Sequence, residues 1–388
     1  MTPLLARTET VLAELIGYPT VSSDSNLAMI AALAERLEDA GARVEVLASA
    51  CGAKANLFAT LGPDRDGGIV LSGHSDVVPV TDQNWSRDPF VMHREAGRLY
   101  GRGACDMKGF IAACLAMAPE FAARDLRRPI HFAFTHDEEV GCLGARDLVP
   151  QLAARGIRPA MALIGEPTMM RIIEGHKGCC EYRAVFQGVE GHGSAPDLGV
   201  NAAEYAVRYV SRLLELNEAL KARVPAGSRF DPPWSTINIG RIAGGVATNV
   251  IAPRAEVEWE MRPVVQADQD FVKDAITAHE AALDAQMRGR DPRAGITTQV
   301  IGEVCGLEPM EHNAARDLIA ALTGENGADL VPFGTEAGLF QTLGCDVVVC
   351  GPGSIDQAHK ADEYVSLTQL ETCLALLGGI GDKMCEPA

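Results

Sequence analysis

The succession of apolar segments changes character near residue 178 and changes back near residue 308, and this constrains the fold more than any other feature. On both sides of that segment, short apolar runs typical of strands alternate with segments of helical periodicity. Apolar strands separated by helices are the pattern of a three-layer α/β domain. At 388 residues the chain is also longer than one hydrophobic core usually supports. We therefore predict an α/β domain made of residues 1–177 and 308–388, interrupted by a second domain.

The inserted segment, residues 178–307, has an element order of its own. Its periodicity predicts a strand at 180–187, a helix at 201–224, strands at 235–242 and 255–262, a helix at 268–288 and a strand at 296–301. The order strand-helix-strand-strand-helix-strand is the split βαβ, ferredoxin-like arrangement, which forms a complete small α+β domain.

Charge and cysteine content restrict the environment of the chain. The net charge of −18 opposes nonspecific nucleic-acid binding, and no apolar run is long enough to span a bilayer. Residues 1–20 lack a basic leader followed by an apolar core, so we expect no signal peptide. The eleven cysteines are odd in number and form no Cys-x-x-Cys pair. This fits free thiols in a reducing cytoplasm, and we expect a soluble cytoplasmic protein.

Five short stretches place His, Asp or Glu just beyond predicted apolar strands. They are residues 71–79, 101–109, 135–141, 165–168 and 357–363, and their ionisable residues include His74, Asp76, Asp106, Glu138, Glu139, Glu166 and His359. In an open α/β sheet, the carboxyl ends of the strands form the ligand crevice. We therefore expect these side chains to lie on loops around one site.

Each stretch also has an ordinary explanation when it is taken alone. A single His at a strand end is more often a hydrogen-bonded structural residue than a ligand. An adjacent acidic pair such as Glu138 and Glu139 is usually solvated surface, and Gly-Glu-Pro at 165–167 can be a plain turn. Their joint occurrence favours function, because two His and three carboxylates suit a dinuclear zinc site with one shared carboxylate.

The five stretches, in this order, resemble the motifs of the dinuclear zinc deacylases and exopeptidases, and the resemblance covers essentially the whole chain. It implies a zinc-exopeptidase-like catalytic domain and two Zn²⁺ ions, which Co²⁺ can replace. The inserted segment fits the lid and dimerisation domain of that family. The roles that the resemblance implies are His74 and Glu166 on one zinc ion, Glu139 and His359 on the other, and Asp106 bridging both.

The resemblance also implies roles for residues that do not bind metal. Asp76 would hold the His74 ring in the correct tautomer, and Glu138 would take a proton from the attacking water and deliver it to the leaving amine. A cis peptide is expected after the bridging carboxylate, at Asp106-Met107. The family often has two glycines after the Lys of this motif, whereas here Gly109 is followed by Phe110. We expect this departure to narrow the region behind the metal site.

Three residues of the inserted segment are candidates for substrate contacts. By resemblance, His192, which lies between two glycines, reaches the active site of a partner subunit and stabilises the tetrahedral oxyanion. Arg262 and Asn249 would bind the α-carboxylate of the substrate, since Arg suits bidentate contacts. Taken alone, Arg262 is better explained by a salt bridge at a strand end. The resemblance thus implies a homodimer joined through the lid and a hinge closure during turnover.

The substrate expected from the resemblance is a small N-acyl amino acid. The runs at 333–340 and 350–359 look like those of the family branch that deacetylates N-acetylornithine in arginine biosynthesis. We expect Glu336, on a loop with nearby glycines, to face the cationic side-chain end of ornithine.

Other activities remain open at this point. The chain can be a succinyl-diaminopimelate desuccinylase, an N-acetylcitrulline deacetylase or a broad aminoacylase of the same family. A metal-free binding homologue would lack ligands, and none of the five is missing. A zinc-stabilised structural module would have clustered cysteines, which this chain lacks.

Overall fold

The computed structural model describes residues 2–387, which form two compact units. Unit 1 comprises the chain up to Gly175, Pro309–Leu330 and the chain from Thr335 onward, and unit 2 comprises His176–Glu308 and Val331–Gly334. Among the helices of residues 2–387, none combines the length and the apolar composition that a membrane span requires. All eleven cysteines are free thiols, as the sequence predicted.

The elements follow one another along the chain. The helices are α1 (Pro3–Ile16), α2 (Leu27–Asp39), α3 (Lys108–Ala122), α4 (Leu143–Ala154), α5 (Ala202–Lys221), α6 (Gln266–Arg290), α7 (Ala314–Thr323), α8 (Ala337–Thr342) and α9 (Leu367–Met384). The strands are β1 (Arg43–Ala48), β2 (Ala55–Leu61), β3 (Ile69–His74), β4 (His93–Glu95), β5 (Arg98–Tyr100), β6 (Ile130–Thr135), β7 (Met161–Ile164), β8 (Ile173–His176), β9 (Cys179–Gln187), β10 (Thr236–Gly244), β11 (Arg254–Arg262), β12 (Gly295–Val304), β13 (Asp329–Val331), β14 (Asp346–Val349) and β15 (Tyr364–Ser366).

A mixed eight-stranded sheet organises unit 1, in the order β1-β2-β6-β3-β7-β14-β8-β13. At its centre β3 runs parallel to β6 and β7, and β14 runs parallel to β7. The central strands β3, β6 and β7 are buried at every position, because helices cover both faces of the sheet. Parallel strands end at the same edge, so the segments after β3, β6 and β7 meet there.

The helices of unit 1 form the outer layers. Buried residues of α1, α2, α3, α7 and α9 share one core with alternate residues of the sheet, such as Leu71, Phe132 and Leu163. The intervening strand residues face the opposite side, where α4 and α8 pack against each other and against the sheet. This is the predicted three-layer α/β arrangement.

Unit 2 is an antiparallel four-stranded sheet in the order β10-β11-β9-β12, with α5 and α6 packed on it. Every second residue of β9 and β11 is buried, as expected for strands with one covered face. Tyr182 and Trp259 stack across these two strands, with ring centroids 4.4 Å apart. The order β9-α5-β10-β11-α6-β12 is the ferredoxin-like one that the sequence predicted.

A small three-stranded sheet, β15-β5-β4, completes unit 1. Its strands are only three residues long, too short for a periodic signal, so the sequence did not predict them. Tyr100 of β5 pairs with Tyr364 of β15. This pairing brings the segment after β5 next to the segment before β15.

Candidate metal centre

The three central parallel strands deliver ionisable residues to one edge of the large sheet. β3 ends on His74, whose pairing partner Thr135 ends β6 and is followed by Glu138 and Glu139. β7 ends at Ile164, two residues before Glu166. Because these strands are parallel and in register, the four ionisable side chains converge.

Asp106 lies between the two histidines of the site. Its Oδ1 atom is 3.0 Å from Nε2 of His74, and its Oδ2 atom is 3.4 Å from Nε2 of His359. Glu166 approaches Nε2 of His74 at 3.8 Å, and Glu139 approaches Nε2 of His359 at 3.0 Å. The two oxygens of one carboxylate thus face two separate pairs of potential ligands.

The two ends of this constellation differ in solvent exposure. The His74 side chain is 1% exposed, whereas that of His359 is 51% exposed. The constellation therefore runs from the protein interior to the surface. A small molecule can reach the His359 end from solvent.

The buried carboxylates of the site carry more negative charge than the neighbouring protein groups neutralise. Burial raises the pKa of Glu166 well above its ordinary value and raises the pKa of Glu139 as well, with nearby Asp106 adding to both effects. The Oε1 atom of Glu166 is buried and accepts no hydrogen bond. A buried oxygen without a donor costs free energy unless a cation or a proton satisfies it.

Ligand atoms of the site lie close enough together to hold a cation. One atom each of His74, Glu138 and Glu166 lie within 4.8 Å of one another, and so do atoms of His74, Asp106 and Glu139. Imidazole nitrogens and carboxylate oxygens are the ligands of zinc and similar divalent ions. The residues around His74 therefore fit such an ion in their chemistry and spacing, and the two groups share His74.

The electrostatics of the histidines follow from the same neighbours. Burial alone would lower the pKa of His74, but its contacts with Asp106 and Asp76 outweigh burial and raise the pKa well above the ordinary value. Contacts with Asp106 and Glu139 raise the pKa of His359 to about 10. Both rings thus lie in a field that attracts cations.

Glu138 lies beside this constellation. Burial raises its pKa to about 8, with Glu139 and Asp106 contributing in the same direction. The thiol of Cys142 donates to Oε1 of Glu138 at 3.4 Å, a contact that the sequence analysis did not anticipate. A carboxyl group whose pKa lies near neutrality is suited to proton transfer.

Asp76 contacts His74, although differently from the expectation. Nδ1 of His74 lies 2.9 Å from the backbone carbonyl oxygen of Asp76 and 3.6 Å from its carboxylate. That carboxylate accepts hydrogen bonds from the backbone N–H groups of Glu138 and Glu139 at 3.0 and 3.3 Å, and from the Ser22 hydroxyl at 2.7 Å. The backbone carbonyl and the carboxylate of Asp76 thus both face Nδ1 of His74, and the carboxylate also anchors the segment that carries both glutamates.

Two expectations about the Asp106 motif can be compared with the structure. The peptide bond Asp106-Met107 is cis, as predicted. Phe110 packs against Gly165, where a Cβ atom would lie 2.0 Å from the ring. The bulky residue at position 110 therefore packs directly against the residue before Glu166, and the narrowing of the region behind the metal site stays a prediction.

Glu336 does not lie where the sequence analysis placed it. The residue is 1% exposed, and its carboxylate oxygens accept hydrogen bonds from the hydroxyls of Ser72 at 2.6 Å and Thr135 at 2.7 Å. A carboxylate that is buried between β3 and β6 and already hydrogen-bonded is not presented to the ammonium group of a substrate. We therefore correct its assignment from a substrate-binding residue to a buried support of these two strands.

The candidate residues of unit 2 lie on its loops and at a strand end. His192 and Asn249 are exposed and adjacent, since the Gly193 N–H donates to the Asn249 carbonyl at 2.8 Å. The His192 ring contacts the Ser194 hydroxyl at 2.7 Å. Arg262 ends β11, is half-buried and pairs with Glu260 at 2.8 Å.

Comparison with known proteins connects the chain to a family. Residues 70–381 match the model of peptidase family M20/M25/M40. Acetylornithine deacetylase of Proteus mirabilis (strain HI4320) is 35% identical over 381 residues, which cover 96% of this chain and 95% of that enzyme. Acetylornithine deacetylase of Shigella sonnei (strain Ss046) is also 35% identical, over 358 residues that cover 90% of this chain and 91% of that enzyme.

Solved structures share the fold. An M20 family metallo-carboxypeptidase from Sulfolobus solfataricus superposes with a TM-score of 0.75 at 18% identity, covering 99% of this chain and 100% of that one. A dinuclear metal-binding M20 peptidase from Bacillus subtilis gives a TM-score of 0.63 at 16% identity, with 99% of each chain covered. These similarities confirm the predicted fold class.

Proposed function

This chain belongs to peptidase family M20/M25/M40 and is a hydrolase of amide bonds, and on that premise we propose that it deacetylates N-acetyl-L-ornithine with the help of two zinc ions. The observation that carries the dinuclear part is the position of Asp106, whose two carboxylate oxygens face His74 and His359 separately. The substrate part is supported by the 35% identity to acetylornithine deacetylases over nearly the whole chain.

We propose that five residues hold the metal ions. His74 and Glu166 would hold the first ion, Glu139 and His359 would hold the second, and Asp106 would be shared by both. The orphaned Oε1 atom of Glu166 supports this assignment, because a cation is the partner that a buried carboxylate oxygen at this position lacks. A ligand set of nitrogen and oxygen atoms without thiolates suits Zn²⁺ and also Co²⁺.

Glu138 is the proposed general base. The bound ions would lower the pKa of a water molecule and polarise the scissile carbonyl group. Positive charge held nearby favours the ionised form of Glu138, which is the form that accepts a proton from the attacking water. The same carboxyl group then donates this proton to the leaving amine. The nearby Cys142 thiol and the Asp76 contacts hold Glu138 in place for both steps.

Unit 2 supplies the remaining proposed contacts. Arg262 and Asn249 would bind the α-carboxylate of the substrate, and His192 of one protomer would stabilise the oxyanion in the site of a second copy. The exposure of His192 and Asn249 supports this assignment, since side chains that bind an incoming substrate must be accessible. The homodimer through unit 2, the closure of unit 2 as a lid and the cytoplasmic location remain predictions.

A substrate panel tests the proposal. The protein is assayed with Zn²⁺ or Co²⁺ on N-acetylornithine, N-acetylcitrulline, N-acetylmethionine and N-succinyl-diaminopimelate. We expect the highest kcat/KM with N-acetylornithine, and a Glu138→Gln variant that binds metal normally but loses roughly 10²- to 10⁴-fold in kcat. A higher kcat/KM on another panel member would refute the substrate assignment. Equal kcat in the Glu138→Gln variant would refute the general base.

A further inference from the structure

One buried carboxylate close to the metal centre belongs to none of the roles assigned above. Glu363 is 1% exposed and lies four residues after His359. Its Oε1 atom accepts hydrogen bonds from the backbone N–H groups of Cys105 at 2.8 Å and Asp106 at 3.0 Å. Its Oε2 atom accepts from the Gly103 N–H at 3.0 Å. The carboxylate therefore caps the turn that presents Asp106.

The fourth donor to Glu363 is a buried arginine. Nη1 of Arg102, whose side chain is 1% exposed, lies 2.7 Å from Oε2 of Glu363. Nη2 of Arg102 donates to the side-chain oxygen of Gln83 at 2.5 Å, and the amide nitrogen of Gln83 donates to the backbone carbonyl of His359 at 2.9 Å. A continuous chain of hydrogen bonds through Glu363, Arg102 and Gln83 thus joins the backbone of Asp106 to the backbone of His359.

The small sheet holds the same two segments together from the other side. Tyr100 pairs with Tyr364, and the Gly101 N–H donates to the Glu363 carbonyl at 3.0 Å. The segment 101–106 and the segment 359–363 are therefore joined through backbone pairing and through the Arg102–Glu363 ion pair. In contrast, His74 is the last residue of β3, and Glu166 lies two residues after the end of β7, both in the large sheet.

We propose that Glu363, paired with Arg102, is a positioning residue that sets the Asp106 carboxylate against the His359 ring and so assembles the second metal site. This inference rests on the proposed function, since it concerns the ion assigned to Glu139 and His359. The buried charge of Glu363 is satisfied by four donors, so the geometry that it imposes is fixed rather than adaptable. Glu363 is not one of the five proposed metal ligands and acts through Asp106 and His359.

The expected effect is larger for the second ion than for the first. Changes in residues that orient metal ligands typically cost about 10- to 100-fold in metal affinity. Glu363→Gln keeps the shape of the side chain, removes its charge and places an NH₂ group opposite a backbone donor. We expect the second ion to bind at least about 10-fold more weakly. The first ion should lose less affinity than the second, because the strand ends hold His74 and Glu166 and only the shared Asp106 depends on Glu363.

The experiment is a stepwise titration of the metal-free full-length protein with Zn²⁺, in which calorimetry records the heat of each binding step. The unaltered protein should bind two ions, and a His359→Ala variant identifies the step that belongs to the second ion. Glu174→Gln serves as the matched control, because Glu174 is also a buried carboxylate paired with an arginine, Arg316, at 2.9 Å. It should retain both affinities.

The outcomes separate this inference from the proposed function. Two unchanged binding steps in Glu363→Gln, or an equal loss of both, would overturn the positioning role while leaving the proposed function standing. A chain that binds no metal before any substitution would refute the proposed function and this inference together. If Glu363→Gln fails to fold, Gln83→Leu decides: Gln83 is only half-buried and holds the His359 end of the same path. Weakening of the second step alone supports the inference, and unchanged binding overturns it.

Discussion

The contact between Gly165 and Phe110 allows a quantitative prediction for Gly165→Ala. A Cβ atom at position 165 would lie 2.0, 2.1 and 2.4 Å from three ring atoms of Phe110. Ordinary carbon–carbon contacts are about 3.5–4.0 Å, so the ring or the strand end must move by roughly 1.5 Å. Phe110 is 1% exposed, and the neighbouring core leaves little room for the ring to move.

The magnitude follows from this geometry. Overpacking a core typically costs about 1–3 kcal/mol, and because the overlap is with a buried ring, we expect about 3 kcal/mol in the free energy of unfolding. Glu166 is the next residue, so its carboxylate moves with the strand end. A misplacement of about 1 Å can cost roughly 10²-fold in rate, and we expect a loss of that order in kcat/KM.

A double-mutant cycle isolates the cause. Phe110→Ala alone should cost about 3–5 kcal/mol through the cavity that it leaves. In the double variant the new methyl group enters that cavity. The loss of unfolding free energy in the double variant should therefore be about 2–3 kcal/mol smaller than the sum of the two single losses. Gly378→Ala is the control, because nothing lies within 4 Å of a Cβ at that helical position.

The stability measurement must report on unit 1 alone, since chains with several domains commonly depart from two-state unfolding. Hydrogen exchange of backbone amides in β7, measured by mass spectrometry on metal-free protein, gives the local opening free energy. Additive costs within about 0.5 kcal/mol in the cycle, or full kcat/KM in Gly165→Ala, would refute the reasoning.

Three further perturbations have defined outcomes. Removing metal with a chelator should abolish hydrolysis and lower Tm. Adding zinc at 100 times its Kd should restore about 2.7 kcal/mol of stability. A Tm that is insensitive to chelation would contradict the metal assignment. Burial lowers the pKa of His131 to about 4, below its ordinary value of about 6.5, so the unfolded chain binds the extra proton and stability falls as pH drops from about 6.5 to about 4. His131→Phe should reduce that acid-induced loss by up to about 3 kcal/mol, as measured from the hydrogen exchange of β6 amides at pH 7 and pH 4. An unchanged loss would show that His131 does not cause it. Arg262→Lys should lower kcat/KM roughly 10- to 100-fold, mostly through KM, since bonds to charged groups contribute about 1.5–3 kcal/mol; steady-state kinetics showing an unchanged KM would exclude Arg262 from carboxylate binding.

Periodicity along the chain determined most of the fold. Burial imposes a repeat of two on β9 and β11, whereas β3, β6 and β7 are buried at every position and consist mostly of apolar residues; both patterns are readable without coordinates. The strand ends then located the candidate ligands His74 and Glu166, because polar residues that follow a buried strand mark its carboxyl end. Short strands such as β5 and β15 could not be predicted, since three residues are too few to show a periodic pattern.

Only the tertiary structure decided how residues distant in sequence meet. The sequence could not tell that Phe110 fills the space beside Gly165, or that Glu363 caps the turn before Asp106. Glu336 was misplaced for the same reason: its charge and its nearby glycines are visible in the sequence, but its hydrogen bonds to Ser72 and Thr135 span 264 and 201 residues. Local sequence encodes burial and secondary structure through propensity and periodicity, whereas the partner of a buried charge depends on which strands the fold places side by side.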